Sequence, residues 1–277
     1  MYIKQIKSNS NEVYLYPLGD IHIGDNGFGK VSEEKLKGYI DWIKNTPNAF
    51  AFLMGDLVNC ATLGSPSSPF QQNLDLAGQI KKVVELFEPI KDKIVGAIDG
   101  NHESRLIKYS GYSPTISICE RLGGVSYFGP SGIIIFRLGC RNGKSPRHSF
   151  TGYFHHTTGG GRTVGAKMNR VDMLRDIIPN ADFYCGGHNH QLGVIHNVTH
   201  VVNQTTGKMD VIKQMIIDCG GYLEWNDSYA ESMMLRPLKI GSPRVHMMLH
   251  RNNKSKTIRG KKKSFEEVVT KDLHVSI

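Results

Sequence analysis

Four of five short polar clusters in this chain follow directly on runs that read as β-strands, and this placement constrains the fold more than any other feature. The clusters are Asp20-Ile21-His22, Gly55-Asp56, Gly100-Asn101-His102-Glu103, His155-His156 and Gly187-His188-Asn189-His190. Strand ends in an α/β fold converge on one edge, so side chains remote in sequence meet there. A chain built this way is a scaffold for one polar site.

The rest of the pattern agrees. Strands are expected at Val13 to Leu18, Ala49 to Met54, Ile94 to Ile98, Val125 to Phe128, Gly132 to Leu138, Phe150 to His155, Ala181 to Cys185, Gly193 to Val201, Val211 to Ile217 and Arg244 to Leu249. Helices are expected after Ser32, over Leu76 to Phe87 ahead of Pro89, after the Ser113-Pro114 cap pair, and over Asn169 to Ile178 ahead of Pro179. Early βα units thus give way to a strand-rich second half, in an α/β arrangement whose spacing is too irregular for a closed barrel. Two stretches lack any period, Asn59 to Phe70 and the glycine run Gly159 to Gly165, and both border polar clusters.

Composition bounds the function. With 39% apolar and 21% charged side chains over 277 residues, the chain can bury one sizeable core and is not disordered. No apolar run approaches the roughly 20 residues of a membrane helix. The opening Met-Tyr-Ile-Lys-Gln-Ile-Lys lacks the apolar stretch of a secretory signal. A soluble, cytoplasmic protein with no membrane partner is the expectation. The five cysteines, Cys60, Cys119, Cys140, Cys185 and Cys219, are scattered without a C-x-x-C pair and read as reduced core residues.

The net charge of +9 is unevenly spread, because residues 251–277 hold eight Lys or Arg against three Asp or Glu. The body is only mildly basic, which suits an anionic substrate. The segment from Arg251 to Lys263 is nearly free of apolar residues and reads as an exposed loop, or as an electrostatic grip on a nucleic-acid backbone.

Carboxylate, amide oxygen and imidazole without thiolate suit a borderline divalent ion. In Asp20-x-His22 and His188-x-His190 the alternation of an extended backbone puts both side chains on one side, so each pair can clamp an ion. A lone D-x-H or H-x-H arises often by chance; the ordered set of five does not.

In that order, D-x-H, G-D, G-N-H-E, a His and G-H-x-H, the clusters resemble the calcineurin-like metallophosphoesterase superfamily, over a span from Asp20 to His190. The resemblance implies a four-layer sandwich of two mixed β-sheets flanked by helices, here a metallophosphoesterase domain over residues 1–250 with a basic C-terminal tail over 251–277. It implies two divalent metal ions, Mn²⁺ first, with Fe, Zn, Co or Ni as alternatives. Asp20, His22 and His190 would hold one ion and Asp56 would bridge both. Asn101, His188 and one of His155 and His156 would hold the second. His156 is preferred, since it precedes the small residues Thr157-Thr158-Gly159. His102 would stand beside the phosphate as general acid or electrostatic stabiliser, and a shared water would be the nucleophile.

Where the family's protein phosphatases read G-D-x-x-D-R-G, this chain has Gly55-Asp56-Leu57-Val58-Asn59-Cys60-Ala61. Asn59 can hydrogen-bond His102 but not stabilise its cation by charge, which looks more like the family's phosphodiesterases. The expectation is a phosphodiesterase acting on a phosphate ester, with nucleic acid as a candidate partner. Glu103-Ser104-Arg105 suggests the alternative of a phosphomonoesterase or protein phosphatase, and a catalytically silent nucleic-acid-binding protein is a third reading. Arg105 and Arg162 read equally as phosphate contacts or as ion-pair residues, and Tyr222 and Trp225, which could stack on a base, read first as packing residues outside the site.

Overall fold

The computed structural model describes residues 1–65, 67–139, 148–226, 228–258 and 262–277. Cys140, Arg259 and Lys261 of the sequence reading lie outside the described residues.

Two mixed sheets face each other. One has the order β1-β5-β6-β7-β9-β8 and the other β11-β10-β2-β3-β4. In chain order the strands are β1 (Tyr2–Lys7), β2 (Glu12–Leu18), β3 (Ala49–Leu53), β4 (Ile94–Ala97), β5 (Ser131–Leu138), β6 (His148–His155), β7 (Phe183–Gly186), β8 (Leu192–Asn203), β9 (Lys208–Cys219), β10 (Arg244–Ile258) and β11 (Lys262–Ser276). The helices that matter below are α1 (Lys30–Asn45), α2 (Leu76–Phe87), α3 (Asn101–Ser110), α4 (Pro114–Arg121), α5 (Val164–Asp172) and α6 (Leu174–Ile177).

The side-chain period of two divides the core into three interfaces. Val13 and Leu15 of β2 and Phe52 of β3 point inward to meet Phe136, Phe154, Phe183 and Ile217 of the opposite sheet. The alternate residues, Tyr16, Leu18, Ala51 and Leu53, point outward onto Leu36, Ile40 and Ile43 of α1 and onto Ile80 and Val83 of α2. In the second sheet Ile133, Tyr153, Tyr184 and Ile216 face Met168, Val171 and Leu174 of α5 and α6. These three cores between four layers make the two-sheet sandwich that the resemblance implies. Phe52 stacks on Phe154 across the sheets with ring centroids 4.2 Å apart. Removing such a buried ring leaves a cavity worth about 3–5 kcal/mol.

Several elements depart from the sequence reading. Val125 to Phe128 forms no strand, only a bridge between Ala97 and Tyr127. Gly123, Gly124 and Gly129, all with positive φ, bracket it with turns and leave no room for a ladder. The expected helix at Asn169 to Ile178 begins earlier, at Val164, where the Thr163 side chain accepts the Ala166 N–H. The glycine run hid that cap. Residues 251–258 and 262–263 of the polar segment are strand and not a loose loop. β10 passes through residue 251 without interruption, and Val245 pairs with both Val275 of β11 and Leu15 of β2. β11 is the edge strand of its sheet, where a polar composition is tolerated. β1, read as no element, pairs in parallel with β5.

Among the described residues no helix is long and apolar enough to cross a membrane. Cys60, Cys119, Cys185 and Cys219 are buried and unbridged.

Candidate metal centre

The carboxyl ends of β2, β3 and β4 in one sheet and of β6, β7 and β9 in the other open onto the same edge, and the turns after them carry every polar cluster of the sequence. Backbone bonds sew these turns together. Asp20 N–H donates to the Gly55 carbonyl at 3.0 Å, Ile21 and His22 to that of Asp56 at 2.8 and 3.0 Å, and Tyr222 to that of Asp20 at 2.9 Å. His188 N–H reaches across the sheets to the Asp20 carboxylate at 3.0 Å.

The turns are tight in an unusual way. Asp20, His22, Asp56, His188 and His190 all have left-handed backbones, with φ of 50°, 54°, 48°, 75° and 52°. Such conformations cost of order 1–3 kcal/mol each for residues other than glycine and cluster at functional sites. These left-handed turns, and not the extended alternation expected from the i, i+2 spacing, aim the side chains at one point.

At that point the donors interlock. His190 Nε2 lies 3.1 Å from His22 Nε2 and 3.4 Å from Asp20 Oδ1. Asp56 Oδ2 lies 3.1 Å from His156 Nε2, 3.9 Å from His22 Nε2 and 4.0 Å from His102 Nε2. Asn101 Oδ1 is 2.7 Å from His188 Nδ1 and 3.2 Å from His156 Nε2. Three groups bring their donor atoms within 4.8 Å of one another: Asp20–His22–His190, His22–Asp56–His102 and Asp56–His156–His188. His22 and Asp56 are each shared between two of them. The expected candidates are thus brought together, and His102 stands within the same reach of Asp56 as the others.

Of the neighbouring histidines, only His156 joins the cluster. His155 turns away on β6, accepts the Thr157 N–H at 2.7 Å and packs edge-on against Tyr153. His156 donates Nδ1–H to the Met54 carbonyl at 2.7 Å, which leaves its Nε2 free to face a cation, the arrangement metal-binding histidines adopt. His102 is held likewise, with Nδ1–H on the Asn59 carbonyl at 2.6 Å. The partner is the Asn59 main chain and not its amide, as the sequence suggested; the amide instead donates to Asp25 at 3.5 Å.

The electrostatics suit bound cations. Burial pushes His22 well below the usual imidazole range and His190 down to about 3, so both are neutral donors. Burial works against the Asp56 carboxylate, but His156, His102 and His22 outweigh it and hold the group well below its ordinary value. Asp20, buried beside that charge, rises to about 7. Burial opposes a charged His156 too, yet Asp56 and Asp20 push it up to about 10. Without a cation the chain therefore keeps protons in the centre, as closely packed acids require.

One residue whose role the motif did not disclose organises the site. Glu103, fully buried, accepts N–H bonds from Asp56, Leu57 and Gly100 at 2.9, 2.8 and 2.9 Å, and from Val58 at 3.3 Å. It is the return half of a capping box at the start of α3, extended to clasp the Asp56 turn. Asp56 Oδ1 in turn accepts the His102 N–H at 2.8 Å, placing a carboxylate at the positive end of that helix.

A cavity of about 250 Å³ opens from Asp56, Asn101, His102, His188 and His190 and is walled on its far side by the segment after β9. Arg105 lines it and donates to Ser65 Oγ at 2.7 Å, so its expected ion pair is replaced by a bond to a hydroxyl of the neighbouring loop. Arg162 is exposed and does not line the cavity. Tyr222 is a core residue bonded to Ser242, whereas Trp225 lines the cavity. No periodicity marks that wall, and Trp225, read from the sequence as a packing residue before a base-stacking one, is the single part of it that the sequence raised.

Interlocked carboxylates and imidazoles at the meeting edge of two packed sheets make a site fit to hold divalent metal ions. A family model described as calcineurin-like phosphoesterase matches residues 17–192, more than half the length, and the chain belongs to that family. No curated protein matches the chain significantly. Among solved structures it is similar to a conserved uncharacterized protein of Streptococcus pneumoniae TIGR4, described as a predicted phosphoesterase. That match has 10% identity and a TM-score of 0.34, over 94% of this chain and 98% of that one.

Proposed function

We propose that the chain is a dinuclear metal-dependent phosphodiesterase, with nucleic acid as a candidate substrate and Mn²⁺ as the first candidate ion. The observation that carries this reading is the sharing of Asp56. Its Oδ2 faces His22 on one side and His156 on the other, so two donor sets meet at one carboxylate. Asp20, His22 and His190 would hold one ion, and Asn101, His156 and His188 the other, with Asp56 common to both. The donor set fits, for it is buried, rich in imidazole and free of thiolate. When bound, the ions supply positive charge that offsets the phosphate and acidifies water near neutral pH.

The chain's own residues do the rest. The carbonyls of Met54 and Asn59 keep the Nδ1 protons of His156 and His102 in place and fix which nitrogen faces the site. His102 Nε2, at the rim of the cluster beside the cavity, is positioned to give a proton to a departing ester oxygen. For a diester, two features speak. His102 is paired with a neutral carbonyl and not a carboxylate, and the cavity offers room for the second group that a diester carries.

Metal-stripped protein supplied with Mn²⁺ is expected to hydrolyse bis-p-nitrophenyl phosphate faster than the monoester, and Asp56→Asn to abolish that turnover. Monoester hydrolysis alone would overturn the diesterase reading.

A further inference from the structure

The wall of the cavity is built from two kinds of residue that a scissile phosphate does not use. On the segment after β9, Leu223, Trp225, Leu235, Leu238 and Ile240 present an apolar, partly aromatic surface. Around it stand four cations, Arg105, Lys167, Arg236 and Lys239, while Asp56 is the one carboxylate among the described lining residues. A phosphodiester carries a single negative charge, which two divalent ions already offset. Lys167 faces the buried Asp218 and Asp20, whereas Arg105, Arg236 and Lys239 form no ion pair among the described residues and make a place for additional negative charge.

Hydrogen bonds within the chain hold parts of the wall. Trp225 donates Nε1–H to the Leu235 carbonyl at 2.6 Å, tying two parts of the apolar surface together. Ser228 Oγ–H donates to the Trp225 carbonyl at 2.8 Å. Next to it, the Glu224 carboxylate accepts the Ser32 N–H of α1 at 2.9 Å, and Glu224 N–H donates to the Gly27 carbonyl at 2.7 Å. Lys167 is held by the Asn189 carbonyl at 2.8 Å, between the histidines of the G-H-x-H turn. Preorganisation of this kind spares a ligand the ordering of the loop.

Resting on the diesterase reading above, we infer that this cavity selects a nucleotide. Its base lies on the Trp225–Leu238 surface, and a second phosphate, beyond the scissile one, is held by Arg105, Arg236 and Lys239. The size agrees. About 250 Å³ lies just below the roughly 300–1,000 Å³ of drug-sized pockets, so it suits one ring system and not a pair of acyl chains. Aromatic surfaces beside cations are the means by which proteins hold unpaired nucleotides. A free 3′-phosphorylated nucleotide and the end of a DNA strand present this same chemistry.

Three diesters with one leaving group test the inference: methyl p-nitrophenyl phosphate, thymidine 5′-(p-nitrophenyl phosphate), and the latter with a 3′-phosphate. With Mn²⁺-loaded enzyme, kcat/KM is expected to rise about tenfold at each step, the order of one stacking contact and of one charge-assisted contact. In Trp225→Ala the ratio of the second substrate to the first falls toward one. In Arg236→Ala/Lys239→Ala the ratio of the third to the second does so. Ratios are read because they cancel any loss of folded or loaded enzyme. Turnover of all three at equal kcat/KM would overturn the inference and leave the diesterase reading standing.

A binding measurement keeps the inference exposed if chemistry is silent. Calorimetry is expected to show thymidine 3′,5′-bisphosphate binding at least tenfold tighter than inorganic phosphate, and equal affinities would overturn it. Preference for single-stranded oligothymidylate over the free 3′-phosphorylated nucleotide assigns the strand end as the natural source. The opposite preference assigns the free nucleotide, and either upholds the site.

Discussion

Glu103 Oε2 accepts the backbone N–H of Asp56 at 2.9 Å, so a residue that need not touch a metal or a phosphate sets the position of the one carboxylate both donor groups share. Glu103→Gln keeps the shape but replaces an acceptor oxygen with an N–H donor facing N–H donors. The expected loss is about 1–3 kcal/mol of stability, read as a fall in Tm, together with weaker metal binding by calorimetry. An unchanged Tm would show that the clasp contributes nothing.

His102 is expected to matter in proportion to how badly the leaving group needs a proton. His102→Ala should lower kcat by about 10²–10⁴-fold for an alkyl leaving group and by much less for p-nitrophenolate, which leaves as a stable anion. Equal losses for both leaving groups would assign the ring to binding or metal ligation and not to proton delivery.

Metal binding should tighten as the pH rises. In the metal-free chain His156 is pushed up to about 10 and Asp20 to about 7. The raised His156 stabilises the metal-free fold fully below the ordinary imidazole pKa of about 6.5, and this contribution is lost as the pH climbs toward about 10. A cation requires both groups deprotonated, so loading at neutral pH releases protons. Affinity is expected to rise up to about tenfold per pH unit for each proton released. Calorimetry in two buffers of different ionisation enthalpy counts those protons, and a count of zero would contradict the proposed ligand set.

Gly100 has no space for a side chain. A Cβ there would overlap Asp56 Oδ1 and the Asp56 backbone nitrogen. Gly100→Ala is expected to cost about 1–3 kcal/mol through overpacking and to reduce activity by displacing Asp56. A variant with wild-type Tm and turnover would show that the turn can move.

Much of this architecture was legible in the residues. The apolar spacing of Leu76, Ile80, Val83, Val84 and Phe87 matches α2, Leu76–Phe87, end to end, because a stripe of buried residues and a following proline leave little choice. Nine of the ten expected strands are present, because strands packed on both faces stand out as dense apolar runs between turn residues. What escaped notice lacked such a signal. β1 is mostly exposed along its length, and β11 carries charges through its sequence. The left-handed turns at Asp20 and His188 leave no trace in hydrophobic pattern, since they are enforced by bonds between chain segments far apart. The cluster of candidate ligands could be assembled from motifs, but the cavity wall could not. Trp225 and Lys239 belong to no motif and meet only because their loop folds back onto α1.

The placement of β10 has a consequence for how the molecule comes into being. β2, which delivers Asp20 to the site, pairs on one side with β3 through Leu15 and Phe50 and on the other with β10 through Leu15 and Val245. During synthesis every strand except β11 is made before that second side is covered. Until then β2 presents an open edge to solvent and to other nascent chains, the condition under which sheets mispair or recruit chaperones. Pairings so distant in sequence also form slowly. The half of β2 from Glu12 to Leu15 therefore gains its second neighbour late, whereas the turn that carries Asp20 and His22 leans on Gly55 and Asp56, made long before β10.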